Sequence, residues 1–148
     1  MNLDIAVALC QRFEGFRARP YLCPAGVPTI GYGSTYYPGG VRVALTDPEI
    51  SEPHARSLLI DELTHTYLPG VLRACPGLAS DSVRLNAIVD FAYNLGVGRL
   101  QTSTLRKRVN AQDWPGASQE LGRWVRAGGR VLPGLVKRRA AEALILGG

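Results

Sequence analysis

The sequence predicts a mainly helical α+β domain, with a small β-rich lobe at about 15–45 and a larger helical lobe at about 50–148 that also includes the N-terminal helix. Short β-type segments separated by Pro and Gly occur only in the first third of the chain. Elsewhere, apolar residues recur at three- or four-residue spacing, as in amphipathic helices. With 148 residues, 46% of them hydrophobic, the chain is long enough for one domain with its own core.

The first element is predicted to be an amphipathic helix that ends at a carboxylate. Its apolar face is formed by Leu3, Val7, Cys10 and Phe13. Glu14 continues that face, and Gly15 then ends the helix. A carboxylate at the end of a core-facing stripe is partly dehydrated, which favours its protonated form. Glu14 is therefore a candidate proton donor.

A β-hairpin is predicted next. Two β-type segments, 16–23 and 27–33, flank a turn at 24–26 that contains Pro and Gly. Such a hairpin folds back toward the end of the first helix. Cys23 and Thr29 are therefore expected to reach the same substrate as the carboxylate.

The remainder of the chain is predicted to be helical after a short third strand at 41–43. N-cap residues followed by prolines begin a helix that runs to about Tyr67 and links the two lobes. Ser80 is predicted to cap the next helix, and Asn94 near its end is interpreted as a structural cap. Three further helices are expected at roughly 101–109, 113–127 and 133–146.

Charge is distributed unevenly along the chain. Residues 1–98 hold seven Arg and nine Asp or Glu, whereas residues 99–148 hold ten Lys or Arg and three Asp or Glu. The two parts carry −2 and +7, which sum to the net charge of +5. The basic part is expected to face an anionic partner, although solvated helix faces explain any single Arg equally well.

Neither a metal nor a cofactor is expected. His54 and His65 lie eleven residues apart on one predicted helix, too far along its axis to share a metal ion. Three cysteines without a C-x-x-C spacing suggest reduced thiols in a cytoplasm. No apolar run approaches the ~20 residues of a membrane helix, and no N-terminal export segment is recognised.

The spacing E-x8-C-x5-T, formed by Glu14, Cys23 and Thr29 and followed by IGYG, resembles the phage-type lysozymes of glycoside hydrolase family 24. That family has Asp or Cys at the position of Cys23. The resemblance extends over essentially the whole chain. Further matching positions in family order are Phe91 to Gly96, Ser103 to Leu105, Val109 and Asn110, Trp124, Gly128 and Gly129, and Gly134 to Glu142.

The resemblance implies a lysozyme-like fold with an active-site cleft between its lobes. It also implies hydrolysis of the β-1,4 bond between N-acetylmuramic acid and N-acetylglucosamine in bacterial peptidoglycan, for host lysis. Glu14 is expected to be the general acid, Thr29 to position water, and Cys23 to act as base or electrostatic partner. A water attacking the sugar predicts inversion. The alternative that Cys23 is only a small packed hydrophobe stays open.

The resemblance also implies supporting residues. An arginine is expected near the acid, either Arg138 or Arg139. Asn94 is expected to support the site from its helix. The predicted substrate contacts, which lie in or just after the hairpin, are Tyr32, Gly33, Ser34 and Tyr36. The protein is expected to be a monomer that waits in the host cytoplasm for a separate holin.

Two rival functions remain at this stage. A catalytically silent wall-binding or virion module could keep the fold without a carboxylate at position 23. A membrane-active protein could use the C-terminal helix, in which Leu135, Val136 and Leu144 are expected to face away from the charged residues. A nucleic-acid binder is disfavoured because the Arg residues are scattered without a recognition motif.

Overall fold

The computed structural model describes residues 1–147, which form helices and two short β-hairpins. The α-helices are α1 Asp4–Glu14, α2 Glu52–Glu62, α3 Leu68–Ala74, α4 Ser82–Leu95, α5 Val97–Gln101, α6 Thr104–Asn110, α7 Trp114–Leu121 and α8 Pro133–Leu146. The strands are β1 Arg17–Leu22, β2 Pro28–Gly31, β3 Arg126–Ala127 and β4 Arg130–Val131. The predicted fold class, mainly helical α+β, is confirmed.

The first hairpin forms where the sequence predicts it. Strands β1 and β2 are antiparallel, with Tyr21 opposite Thr29 and an irregularity toward Arg17. The predicted third strand at 41–43 is wrong. Arg42 forms an isolated antiparallel bridge with Tyr36 there, flanked by backbone hydrogen bonds from Tyr37 to Val41 and from Val43 to Thr35.

The linking helix is longer than predicted. It does not end near Tyr67, because a π-helical turn at Leu63–Tyr67 joins α2 directly to α3. Pro69 is tolerated because it lies in the first turn of α3, where proline costs little. The segment packs against β2 at one end and α4 at the other, so it does connect the hairpin to the helical core.

Helix α4 lies at the centre of the core and packs against α1, α3 and α8. Its residues from Leu85 to Ala92 are almost fully buried. The predicted cap at Ser80 is wrong, because that hydroxyl bonds to Gly77 in a preceding 3₁₀ turn. Asp81 caps α4 instead by accepting a hydrogen bond from the Arg84 backbone N–H at 3.2 Å.

The C-terminal part departs most from the prediction. The helix expected at 113–127 ends at Leu121, and strands β3 and β4 form a second hairpin around Gly128 and Gly129. The expected polarity of α8 is reversed, since its Arg138, Arg139 and Glu142 are buried whereas Leu144 is 79% exposed. No helix among residues 1–147 is both long enough and apolar enough to cross a bilayer.

Candidate active site

Glu14 is the last residue of α1, where the chain leaves the helical core for the hairpin. The preceding turns bury Val7 and Cys10, which anchor the helix against α4. Gly15 follows with a φ of 73° and ends the helix. The Glu14 side chain is 24% exposed, so it is mostly withdrawn from water but still accessible.

Arg138 and Arg139 on α8 are the two candidates for contact with Glu14, and Arg138 forms that contact. The Arg138 Nη1 donates to Glu14 Oε2. Arg139 points elsewhere, donating to Glu142 Oε1 and to Asn94 Oδ1 at 2.8 Å each. Asn94 therefore binds a guanidinium rather than a backbone group. This corrects its interpretation as a helix cap.

Arg138 is held from behind by a second carboxylate, Asp90 on α4. Its Nε and Nη2 donate to Asp90 Oδ2 and Oδ1 at 3.0 and 2.8 Å. The Cys10 thiol lies 3.2 Å from Asp90 Oδ1 and donates to it. Burial opposes ionisation of Asp90, but the hydrogen bonds from Arg138 outweigh it and hold its pKa below the usual range.

Gly33 forms the hairpin side of the site next to the acid. A Cβ at this position would lie 3.1 Å from Glu14 Oε1 and 3.2 Å from the Tyr93 hydroxyl, and φ is 90°. Glycine is therefore required both for its conformation and for the close approach of its backbone. The Tyr93 hydroxyl donates to the Tyr32 carbonyl at 2.7 Å, which ties the hairpin to α4.

Cys23 and Thr29 lie together at the other end of the hairpin. Thr29 is 3% exposed, and its hydroxyl donates to the Val27 carbonyl at 2.9 Å. The pKa of the half-buried Cys23 thiol is lowered, chiefly by the backbone N–H of Val27, with a smaller contribution from Ala25.

The two arginines of strand β1 are engaged in other contacts. The Arg17 guanidinium stacks on Tyr21 at 4.3 Å from the ring centroid, and Arg19 pairs with Glu49 at 3.3 Å on the surface. Tyr21 links the two halves of the site electrostatically. Burial raises the pKa of Tyr21, and both Glu14 and Cys23 raise it further.

The predicted substrate contacts separate into two groups. The side chains of Tyr32 and Ser34 are only 6% and 0% exposed, and their contact with substrate stays a prediction. The Tyr32 hydroxyl donates to Glu52 at 2.7 Å, so the ring supports the hairpin from inside. Gly33 contributes backbone beside the acid. Tyr36 is exposed, with the Arg42 guanidinium 5.1 Å from its ring centroid, and stays a predicted contact.

A cavity of about 400 Å³ lies between the 35–40 loop and the π-helical turn. Glu62 at the end of α2 lines it, and its Oε1 is buried without a hydrogen-bond partner among the described residues. Burial raises the pKa of Glu62 to about 7, while the facing Ser34 hydroxyl lowers it and Asp61 raises it.

This arrangement can be compared with known proteins. The family model described as phage lysozyme matches residues 11–142, which include every site residue described above except Cys10. The chain belongs to the phage lysozyme family.

Individual relatives agree with this membership. The endolysin of Bacillus phage B103 is 37% identical over 96% of this chain, and this chain spans about half (52%) of that protein. The endolysin of Acyrthosiphon pisum secondary endosymbiont phage 1 is 34% identical, with 92% of this chain and 90% of the relative covered.

Two solved structures share the lysozyme-like fold. The endolysin from Escherichia coli O157:H7 phage FAHEc1 is 28% identical with a TM-score of 0.83, covering 99% of this chain and 93% of the other. The muramidase domain of SpmX from Asticaccaulis excentricus is 30% identical with a TM-score of 0.71, covering 97% of this chain and 95% of the other.

Sequence reasoning on this phage lysozyme missed Asp90, Tyr93 and Glu62. Asp90 lies in a buried stretch of α4 that is apolar except for Asn86, and a carboxylate in such a stretch signals a buried partner. The sequence gives no way to identify that partner, because Arg138 lies 48 residues away.

Proposed function

We propose that this chain is an endolysin that hydrolyses the β-1,4 bond between N-acetylmuramic acid and N-acetylglucosamine in bacterial peptidoglycan. Family membership, relatives named endolysin and the similar muramidase domain support this proposal. The observation that carries it is the environment of Glu14, a largely buried carboxylate that contacts Arg138 and lies against the Gly33 backbone. Such a site suits a general acid.

In this proposal Glu14 protonates the glycosidic oxygen as the bond to the leaving sugar breaks. Arg138 fixes the carboxyl group in one orientation, and Gly33 leaves room for a sugar beside it. Orientation matters because a misplaced acid contributes little to the transition state.

The attacking water is assigned to Thr29 and Cys23. The Thr29 hydroxyl donates its hydrogen to Val27, which leaves its lone pairs free to accept a hydrogen bond from water. An ordinary cysteine is only a few per cent thiolate at pH 7. The lowered pKa of Cys23 raises that fraction and lets the thiolate accept the proton that the water loses.

The reaction is expected to invert the anomeric carbon. Retention by the usual route needs a carboxylate nucleophile about 5–5.5 Å from the acid. The hairpin offers a thiol and a hydroxyl at the two motif positions instead. Asp90 is fully buried behind Arg138 and has no access to a sugar.

Purified peptidoglycan tests the proposal. We expect Glu14→Gln to lower release of reducing ends by about 10²–10⁴-fold, the usual worth of general acid catalysis. The matched control Glu49→Gln, which alters an exposed surface pair, should keep wild-type activity. The first product seen by NMR should be the α-anomer.

Three outcomes contradict parts of the proposal. More than a tenth of wild-type activity in folded Glu14→Gln removes the acid assignment. Negligible release by wild type, together with wall binding, indicates a silent module. A β-anomer appearing first rules out inversion and the role of Thr29.

The proposal also concerns how the protein reaches the bacterial cell wall. We infer a monomer that remains in the host cytoplasm until a separate holin opens the membrane, and whose positive charge favours binding to the anionic wall. Several relatives are named SAR-endolysin. Expression with and without a holin tests this inference, because prompt lysis without the holin contradicts it.

A further inference from the structure

The arginine that contacts the acid is shared between two carboxylates of unequal exposure. Arg138 is 3% exposed and contacts both Asp90, which is 0% exposed, and Glu14, which is 24% exposed. Asp90 accepts two hydrogen bonds from the guanidinium, and Glu14 accepts one. Asp90 therefore offsets part of the positive charge that Glu14 would otherwise experience.

This sharing matters because a general acid must carry its proton before it can donate it. An unshared arginine next to a carboxylate favours the ionised form strongly, commonly lowering a carboxyl pKa by 1–3 units. An arginine already neutralised by Asp90 can still orient Glu14 through a hydrogen bond. Its attraction for a negative charge on that group is then weaker than that of an unpaired arginine.

We propose that Asp90 is a positioning residue that sets the acid strength of Glu14 by neutralising and orienting Arg138. The inference rests on the proposed glycosidase function. The Cys10 thiol, which donates to Asp90, helps to keep that carboxyl ionised. Asp90 itself touches no substrate in this scheme.

Other titratable groups face the cluster formed by Glu14, Arg138 and Asp90. Burial raises the pKa of Cys10, and the pKa values of the nearby tyrosines are also raised, so these groups stay neutral through the range of an activity assay. Burial, together with Asp90, also raises the pKa of Glu142. The facing groups are Cys10 and Glu14 on α1, Tyr21 on β1, Tyr67 on the π-helical turn, Asp90 and Tyr93 on α4, and Arg138, Arg139 and Glu142 on α8.

The test is the pH dependence of kcat/KM, which reports ionisations of the free enzyme. The Asp90→Asn substitution keeps the shape of the side chain but removes its negative charge. We expect the alkaline limb of the profile to move about one pH unit lower, which is about a tenfold loss of activity above it. A purely structural role lowers activity at every pH without moving the limb.

A double-mutant cycle tests whether the effect of Asp90 on Glu14 is transmitted through Arg138. In the Arg138→Gln background the Asp90→Asn shift should disappear, because the cation that transmits it is gone. A shift that persists overturns the proposal and indicates a direct path, for example through Glu142. Repeating the profiles with Glu62→Gln removes any contribution from the carboxyl that titrates near 7.

Folding is checked for every variant by circular dichroism. If Asp90→Asn does not fold, Asp90→Glu is the second arm, because it keeps the charge while losing the two-point geometry. Its limb should stay at the wild-type pH while kcat falls, and a limb that moves down overturns the proposal. An inactive wild type refutes the glycosidase function, whereas an active wild type with an unmoved Asp90→Asn limb refutes only this inference.

Discussion

Replacement of Glu62 by Gln should stabilise the protein at alkaline pH and leave its stability almost unchanged in acid. The folded state holds the Glu62 proton up to a pKa of about 7, whereas the unfolded chain releases it near the ordinary glutamate pKa of 4.5. Between these values the folded state binds more protons, so the free energy of unfolding falls as pH rises. Glutamine cannot titrate and removes that loss.

The magnitude follows from the difference in pKa. A difference of 2.5 units at 1.36 kcal/mol per unit gives about 3.4 kcal/mol, an upper bound because part of Glu62 remains solvated. We expect a gain approaching about 3 kcal/mol at pH 8 that vanishes below pH 4.5. The gain should build up between about pH 4.5 and pH 7 and level off above pH 7.

Urea denaturation at several pH values measures this effect, as a change in midpoint at constant m-value. Glu49→Gln is the matched control, because its carboxylate is 64% exposed and its removal should change stability by less than about 0.5 kcal/mol at every pH. A Glu62→Gln advantage that is the same at pH 4.5 and pH 8 would refute the reasoning.

Two further predictions concern the hairpin. Cys23→Asp should keep or raise activity near pH 6–7, because aspartate supplies an ionisable base. Cys23→Ser should lower activity, because serine does not ionise. An active Ser variant beside an inactive, folded Asp variant removes Cys23 from the mechanism. Alkylation should slow the wild type but not Cys23→Ser, since Cys75 is fully buried. Gly33→Ala should cost about 1–2 kcal/mol and most activity, whereas Gly39→Ala, with the same φ of 90° and no neighbour within 4 Å, should cost similar stability at full activity. Equal activity losses in the two Ala variants contradict a contact between Gly33 and the acid.

Local patterns allowed the first part of the fold to be predicted. The stripe ending at Glu14 and the Pro-Gly turn of the hairpin each depend on residues close in sequence, so α1, β1 and β2 are found almost where expected. The three motif positions follow from the same segment. Their roles remain predictions.

The remaining differences have physical causes that periodicity does not reveal. A π-helical turn carries the linking helix past Pro69, although proline normally signals an end. Helix α8 buries its charges because Asp90 and Asn94 receive its arginines inside the core. Which face of a helix is buried therefore depended here on partners more than 40 residues away.

The contact between Glu14 and Arg138 joins residues 124 positions apart, and it has a consequence for biosynthesis. Helix α1 leaves the ribosome before helix α8, so the guanidinium that contacts its terminal carboxylate is translated 124 residues later. A nascent or prematurely terminated chain thus carries the acid without its orienting partner.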